Sequence, residues 1–198
     1  MKAIIFDFDG VIQNTFDSTY TCHKTVHVGS SQEEYRSYFE GNIHHKLKYT
    51  TEQYDQFREL EFETFKDHKL ESKVRSEIIM LEKNYDLYII SSNSIKNLDY
   101  YFKNNNFEGI FKDVLAVETH KSKTEKFNIL FQRYSLNADS CIFVTDTSGD
   151  VLEAQSAGVK SIACTFGFHE EYRLKKVEPF KIVSEFSQIR KVIEEMKK

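Results

Sequence analysis

The sequence predicts a three-layer α/β fold, a parallel sheet with helices on both faces, carrying a small helical unit inserted after the first strand. Three observations predict it. Short apolar segments recur at 3–8, 87–91, 113–117, 141–145 and 160–164, and the later ones are separated by helical patterns, the rhythm of strands joined by crossover helices. From about Asn14 to Met80 that rhythm fails: no convincing strand occurs, and Tyr, Phe, Glu and Lys are abundant. Finally, 198 residues can bury one sizeable core and carry a smaller unit, but not two ordinary domains. The core is therefore assigned to residues 1–13 and 81–198, and the helical insertion to 14–80.

The first strand is Ile4-Ile5-Phe6, leading into Asp7-Phe8-Asp9-Gly10. Within the insertion three apolar stripes read as helices: Tyr35, Tyr38 and Phe39; Tyr54, Phe57, Leu60 and Phe65; Val74, Ile78 and Leu81. Thr50 and Gln53 have the spacing of a capping box for the middle helix. The second strand, Leu87 to Ile90, ends in Ser91-Ser92-Asn93. Ile95, Leu98, Tyr101 and Phe102 share one helical face, and Phe127, Leu130, Phe131 and Tyr134 share another. Ser122 with Glu125 three residues on opens the second of these. After the strand at Ile142 to Val144, Asp150 to Ala157 reads as a short helix closed by Gly158 and followed by a strand to Cys164. Pro179 precedes a last strand at Lys181 to Val183 and a helix from Ser187.

Composition narrows the function. A net charge of -4 offers no general attraction to nucleic acid, so that partner is not expected. Cys22, Cys141 and Cys164 form an odd set without CxxC spacing, which fits free thiols in the cytoplasm rather than a disulfide framework or zinc site. The apolar start is ended by Asp7, so no signal-peptide core forms, and no apolar run reaches membrane-spanning length. His44-His45, and His23 with His27, lack a nearby acid or cysteine pattern and read as solvated or substrate-facing.

The chemistry resides in acids that follow apolar runs. A carboxylate is costly in a core, so Asp7, Asp9, Asp146 and Asp150 belong where buried strands emerge into a crevice. Residues two apart in an extended segment share a face, so Asp7 and Asp9 reach one pocket. Gly149 allows a tight path between Asp146 and Asp150. Ser92 with Asn93, and Lys123, follow strands of their own between the two acid pairs. Two unit charges about 4 Å apart interact by about 4 kcal/mol at an effective dielectric near 20, so clustered carboxylates repel a phosphate unless a cation offsets them. The expected cofactor is Mg2+, with Lys123 as a second positive charge.

The ordered set Asp7-Phe8-Asp9-Gly10-Val11, Ser92-Asn93, Ser122-Lys123 and Asp146-Thr147-Ser148-Gly149-Asp150, followed by Ala157-Gly158-Val159, resembles the haloacid dehalogenase superfamily. It is most similar to the small phosphatases related to phosphoglycolate phosphatase and β-phosphoglucomutase. The resemblance runs from Lys2 to about Phe168, apart from the insertion. It implies a Rossmann-like core with 14–80 as its cap domain, and a Mg2+-dependent phosphatase that forms an aspartyl-phosphate on Asp7. Asp9 is then the acid and base, and Ser92, Asn93 and Lys123 hold the phosphoryl group. The metal set implied is the Asp7 carboxylate, the Asp9 carbonyl and Asp146, with Asp150 either supporting the metal or positioning Lys123. The expected partner is a small phosphorylated metabolite, such as a sugar phosphate, phosphoglycolate or nucleotide, bound by a monomer or homodimer.

Three departures from the family pattern stand out. Lys123-Thr124-Glu125-Lys126 lacks the usual prolines, which leaves Lys121 as an alternative to Lys123; Thr145 stands where Gly is common; and Ser91 replaces Ser92 if the strand register differs by one. A phosphomutase is the chemically nearest alternative, because the same acid–base residue can return the phosphoryl group to a sugar. A phosphoacceptor signalling module uses similar groups, but its acceptor normally follows a later strand and no comparable insertion follows the first.

Overall fold

The computed structural model describes residues 1–196. In chain order, β1 (Ala3–Phe6) is followed by α1 (Phe16–Val26), α2 (Gln32–Ser37), α3 (Ile43–Lys46), α4 (Thr51–Phe65) and α5 (Ser72–Glu82). Then come β2 (Asp86–Ile90), α6 (Ile95–Asn104), β3 (Asp113–Leu115), α7 (Lys123–Tyr134), β4 (Cys141–Thr145) and α8 (Ser148–Ser156). The chain closes with β5 (Lys160–Cys164), α9 (Glu171–Lys175), β6 (Lys181–Val183) and α10 (Phe186–Glu195). The strands form one parallel sheet in the order β3-β2-β1-β4-β5-β6, the three-layer, Rossmann-like arrangement expected.

A parallel sheet covered on both faces makes continuous apolar strands, and β1 and β4 are buried at every position. Alternate residues divide between two cores. Ile4, Phe6, Leu87, Ile89, Ile142 and Val144 face α5, α6 and α10, while Ala3, Ile5, Tyr88, Ile90, Cys141 and Phe143 face α7 and α8. Each such large side chain contributes about 1.5–3 kcal/mol on burial. The order reverses at β1, whose neighbours β2 and β4 lie on opposite sides. That reversal opens a crevice at the carboxyl ends of β1 and β4, the usual ligand position in such sheets.

The cap starts from an aromatic cluster of Phe16 and Tyr35 with Phe168 of the core, flanked by Tyr20, Tyr38 and Phe39. Thr50 and Gln53 form the expected capping box at α4, and Gln53 Nε2 also donates to the Val26 carbonyl at 2.8 Å, which ties α4 to the end of α1. At the opposite edge a Cβ on Gly149 would lie 2.4 Å from the Gly41 carbonyl oxygen, so only glycine lets this cap loop rest on α8. Asn42 Nδ2 reinforces the contact by donating to the Lys121 carbonyl and to Glu153 Oε1, both at 3.1 Å.

Several boundaries differ from the sequence reading for local reasons. The apolar run to Phe8 yields a strand only to Phe6, because Phe8 N donates to Asp7 Oδ1 at 2.8 Å instead of to a neighbouring strand and the chain turns at Gly10, with φ of 74°. α8 begins at Ser148 rather than Asp150, because Thr147 Oγ1 accepts from Asp150 N at 3.3 Å as its N-cap. α9 was not foreseen. α5 runs across the division at 80/81, and its Val74, Ile78 and Leu81 pack with the sheet, against α10 and β2.

Candidate active site

Asp7 follows β1 directly, and its N–H still donates to the Val144 carbonyl at 2.8 Å, so sheet register fixes its backbone at the end of the strand. Lys123, at the first turn of α7, is 2% exposed and donates from Nζ to Asp7 Oδ2 at 2.6 Å and to Asp150 Oδ2 at 2.8 Å. Thr145, the residue that departs from the family's glycine, donates its hydroxyl to the same Asp150 oxygen at 2.9 Å. Burial alone would raise Asp150, but Lys123 and these hydrogen bonds hold it down to about 2. Burial raises Asp7 well above the ordinary carboxylate range, and Lys123 counters only part of that. Against the same burial, the two carboxylates push the Lys123 ammonium above the usual lysine range.

Asp146 follows β4 and is wholly buried. Its Oδ2 accepts from Phe168 N at 2.7 Å. A Cβ on Gly10 would lie 1.9 Å from that oxygen, and one on Gly167 would lie 2.2 Å away, so two glycines make the slot in which the carboxylate sits. Among the described residues the buried Asp146 Oδ1 has no hydrogen-bond partner, an arrangement that natural cores avoid unless an ion or water completes it. Asp7, Asp146 and Asp150 each offer an oxygen within 4.8 Å of the others. An all-oxygen donor set with one orphaned carboxylate oxygen fits a hard divalent cation such as Mg2+.

Burial pushes the Asp146 carboxyl from 3.8 up to about 8, against the opposing hydrogen bond from Phe168 N. Between those values the folded chain keeps a proton that the unfolded chain releases, so this carboxyl subtracts stability as pH rises through that window. Bound metal requires the ionised form. The expected result is that Mg2+ binding releases a proton near neutrality and tightens from pH 6 to pH 8, measured by calorimetry in buffers of different ionisation enthalpy. Affinity that does not vary over that range would contradict the assignment of Asp146.

Asp9 lies across the crevice from Lys123. Its Oδ1 accepts from Thr15 Oγ1 at 2.8 Å and its Oδ2 from Asn93 Nδ2 at 3.0 Å. Burial raises its carboxyl above the ordinary range despite both hydrogen bonds. Asn93 is thus engaged with Asp9, and its Oδ1 accepts from Ser94 N and from Asn97 Nδ2, each at 2.8 Å. Ser92 lines the cavity, whereas Ser91 is wholly buried and its Oγ accepts from Asn93 N at 3.0 Å. Lys121 also lines the cavity but is exposed, and it is Lys123 that reaches the aspartates.

Sequence reasoning missed several members. Lys126 is fully buried and its Nζ donates to the Ser91 carbonyl; burial, followed by repulsion from Lys123, brings it down to about 7. Glu153 on α8 accepts from Lys123 N at 2.8 Å and Ser122 Oγ at 2.9 Å, which fixes the start of α7. Thr15, Asn97 and Glu61 complete the surroundings of Asp9. Burial first, and then the Asp9 charge, push Glu61 up to about 8. Spacing from the acid motifs carries no signal for these residues, since tertiary packing alone brings them in. The aspartates open into a cavity of about 500 Å³ between core and cap, whose cap side includes Tyr35, Tyr49, Tyr54 and Phe57.

Fold and site together define an α/β protein with a capped acidic pocket at the sheet's switch point. The sequence profile described as haloacid dehalogenase-like hydrolase matches residues 4–164, and the chain belongs to that family. It is 22% identical over 115 residues to the phosphoglycolate phosphatase of Aliivibrio fischeri, covering 57% of this chain and 51% of that one. The chain therefore aligns with about half the length of that relative. A haloacid dehalogenase-like family hydrolase from Streptococcus pneumoniae has a similar structure, with a TM-score of 0.81 at 20% identity over 98% of both chains. CbbY of Rhodobacter sphaeroides, solved in complex with phosphate, superposes with a TM-score of 0.73 at 15% identity over 96% of each chain. At such identities the structural likeness speaks for the fold. Among the described residues no helix is long and apolar enough to cross a membrane, and all three cysteines are free and buried.

Proposed function

We propose that the protein is a Mg2+-dependent phosphatase that hydrolyses a small phosphomonoester through an aspartyl-phosphate on Asp7. The observation that carries this reading is the bridge from Lys123 Nζ to Asp7 and Asp150, set beside the unpartnered Asp146 oxygen at the floor of a capped cavity. Asp7 Oδ1 is steadied by the Phe8 N–H at 2.8 Å, which orients the carboxylate toward phosphorus. Its attack breaks the ester P–O bond, and the phosphoryl group passes to the Asp7 oxygen while the leaving oxygen takes the Asp9 proton. The raised Asp9 carboxyl suits that donation. Once ionised, Asp9 removes a proton from water, which attacks phosphorus and releases orthophosphate and free Asp7.

Lys123 offsets charge on the phosphoryl oxygens and Ser92 donates a hydrogen bond to them. Asn93, through its amide, positions Asp9. Asp7, Asp146 and Asp150, with the Asp9 carbonyl, are the residues to hold Mg2+; when bound, the ion acts as a Lewis acid on the phosphoryl oxygens and offsets the carboxylate charge. The cap is the region inserted after β1, and its rings cover the leaving-group side. A reducing cytoplasm suits the three buried thiols, and the unit of function is a monomer or homodimer.

A cap resting on α8 through Gly41 and Asn42 also favours water exclusion, the property that a phosphomutase needs. One experiment separates the two outcomes. A set of phosphate esters incubated with protein and Mg2+ yields stoichiometric orthophosphate for a phosphatase, and an isomeric ester without orthophosphate for a mutase. The expected product is orthophosphate, lost on chelation of the metal. Release that persists after complete chelation would contradict the reading.

A further inference from the structure

The reaction above leaves one carboxyl of the cavity without a task. Glu61, on α4 of the cap, lines the same cavity as Asp9 and accepts from Asn97 Nδ2 through Oε2 at 3.0 Å. Asn97 Nδ2 also donates to Asn93 Oδ1 at 2.8 Å, and Asn93 Nδ2 donates to Asp9 Oδ2 at 3.0 Å. Two side-chain amides thus tie Glu61 to the acid–base carboxyl across the boundary between cap and core. Among the described residues the Glu61 carboxyl accepts no other hydrogen bond, which leaves Oε1 for whatever occupies the cavity.

The surroundings restrict that occupant. Tyr35, Tyr49, Tyr54 and Phe57 line the cap side together with Lys48 and Arg58, the latter paired with Glu118 at 3.3 Å, and about 500 Å³ is ample for a leaving group of several carbons. Ring faces beside a carboxyl suit a carbon chain that carries hydroxyls: its C–H groups lie on the rings and a hydroxyl bonds the carboxyl. Resting on the phosphatase reading, we infer that Glu61 is a specificity-determining residue that hydrogen-bonds a leaving-group hydroxyl near the ester oxygen, so the substrate is the phosphate ester of a polyol or sugar.

A hydroxyl can bond this carboxyl in either ionisation state, accepting from its O–H or donating to its oxygens. A leaving group of the glycolate type has a carboxylate there instead. It brings no proton and adds a negative charge beside Asp9 and Glu61.

Glycerol 1-phosphate and propyl phosphate have the same chain length and differ by two hydroxyls. The wild-type protein is expected to favour glycerol 1-phosphate over propyl phosphate, and over 2-phosphoglycolate, by about tenfold or more in kcat/KM, the scale of one hydrogen bond. Glu61→Leu lowers the first preference by about tenfold, and Glu61→Gln, which keeps an acceptor, retains part of it. A ratio between two substrates does not move if the substitution merely lowers the amount of active enzyme. Should the leucine variant fail to fold, the ratio in Glu61→Gln decides alone, because an unchanged preference there is the overturning result. A preference that is absent in the wild type, survives Glu61→Leu, or favours 2-phosphoglycolate overturns this inference and leaves the phosphatase reading standing. If no phosphate ester, p-nitrophenyl phosphate included, is hydrolysed in an Asp7-dependent way, the phosphatase reading falls and takes this inference with it.

Discussion

Asp7→Asn lowers turnover of p-nitrophenyl phosphate by about 10⁴-fold or more, the range seen when a covalent nucleophile is removed. The amide has nearly the shape of the carboxylate but cannot form the acyl-phosphate. The loss is accordingly expected in kcat rather than in KM. Stability should move the other way. Burial already pushes the Asp7 carboxyl well above its ordinary range, and Asp146 and Asp150 add like charge. A neutral amide carries no charge for burial and its neighbours to oppose, while Lys123 keeps Asp150 as its partner at 2.8 Å. The melting temperature of the metal-free variant is thus expected to equal or exceed that of the wild type. A variant that is both inactive and unfolded would leave the role of Asp7 as nucleophile unsupported and would contradict the electrostatic argument.

Lys123→Met has the second largest expected effect, and it acts on stability as well as rate. The ammonium is 2% exposed and shared between two carboxylates. Removing one member of a buried ionic cluster leaves the remaining charge uncompensated and costs about 3–5 kcal/mol. Turnover falls by about 10²–10³-fold, the scale of losing one charge-stabilising donor in a water-poor site. The pH dependence has a definite sign. Without Lys123 both carboxyls have folded pKa values raised above their unfolded values, so stability is lost as pH rises and regained as pH falls. Urea unfolding at pH 5 and pH 7.5 checks this, and the deficit should be the smaller at pH 5. Lys123→Arg is not expected to rescue, because the larger planar guanidinium does not fit the buried slot in which a compact ammonium meets both carboxylates at 2.6 Å and 2.8 Å.

The sheet was legible because each core strand is a short apolar run ended by a polar residue that chemistry requires there. Ile4 to Phe6 and Ile142 to Val144 announce both the strands and the carboxylates that emerge from them. Periodicity also fixed α6 and α7, whose Leu98, Tyr101, Phe102, Phe127 and Leu130 all face the sheet. Local hydrogen bonding shifted the ends. Thr147 starts α8 two residues early, and Gly10 turns the chain where an alternation pattern would have continued.

The site was legible only as far as charge and spacing carry information. Asp7, Asp9, Lys123, Asp146 and Asp150 are drawn to one crevice, as their positions after strands suggest. Their second layer is set by tertiary geometry. Thr145 looked like a departure, yet its hydroxyl is spent on Asp150. Nothing in the spacing marks Glu61, which α4 brings beside the Asn93–Asn97 amides. Nor does spacing mark Lys126, whose place on the inner face of α7 buries it against Ser91.

The covalent step at Asp7 is tested most directly by acid quench of the protein during turnover, followed by mass spectrometry of its peptides. The peptide containing Asp7 is expected to gain the mass of one phosphoryl group, labile to hydroxylamine, and to lose that adduct in Asp7→Asn. Phosphoryl mass on another residue, or rapid turnover by Asp7→Asn with no adduct at all, would contradict the account.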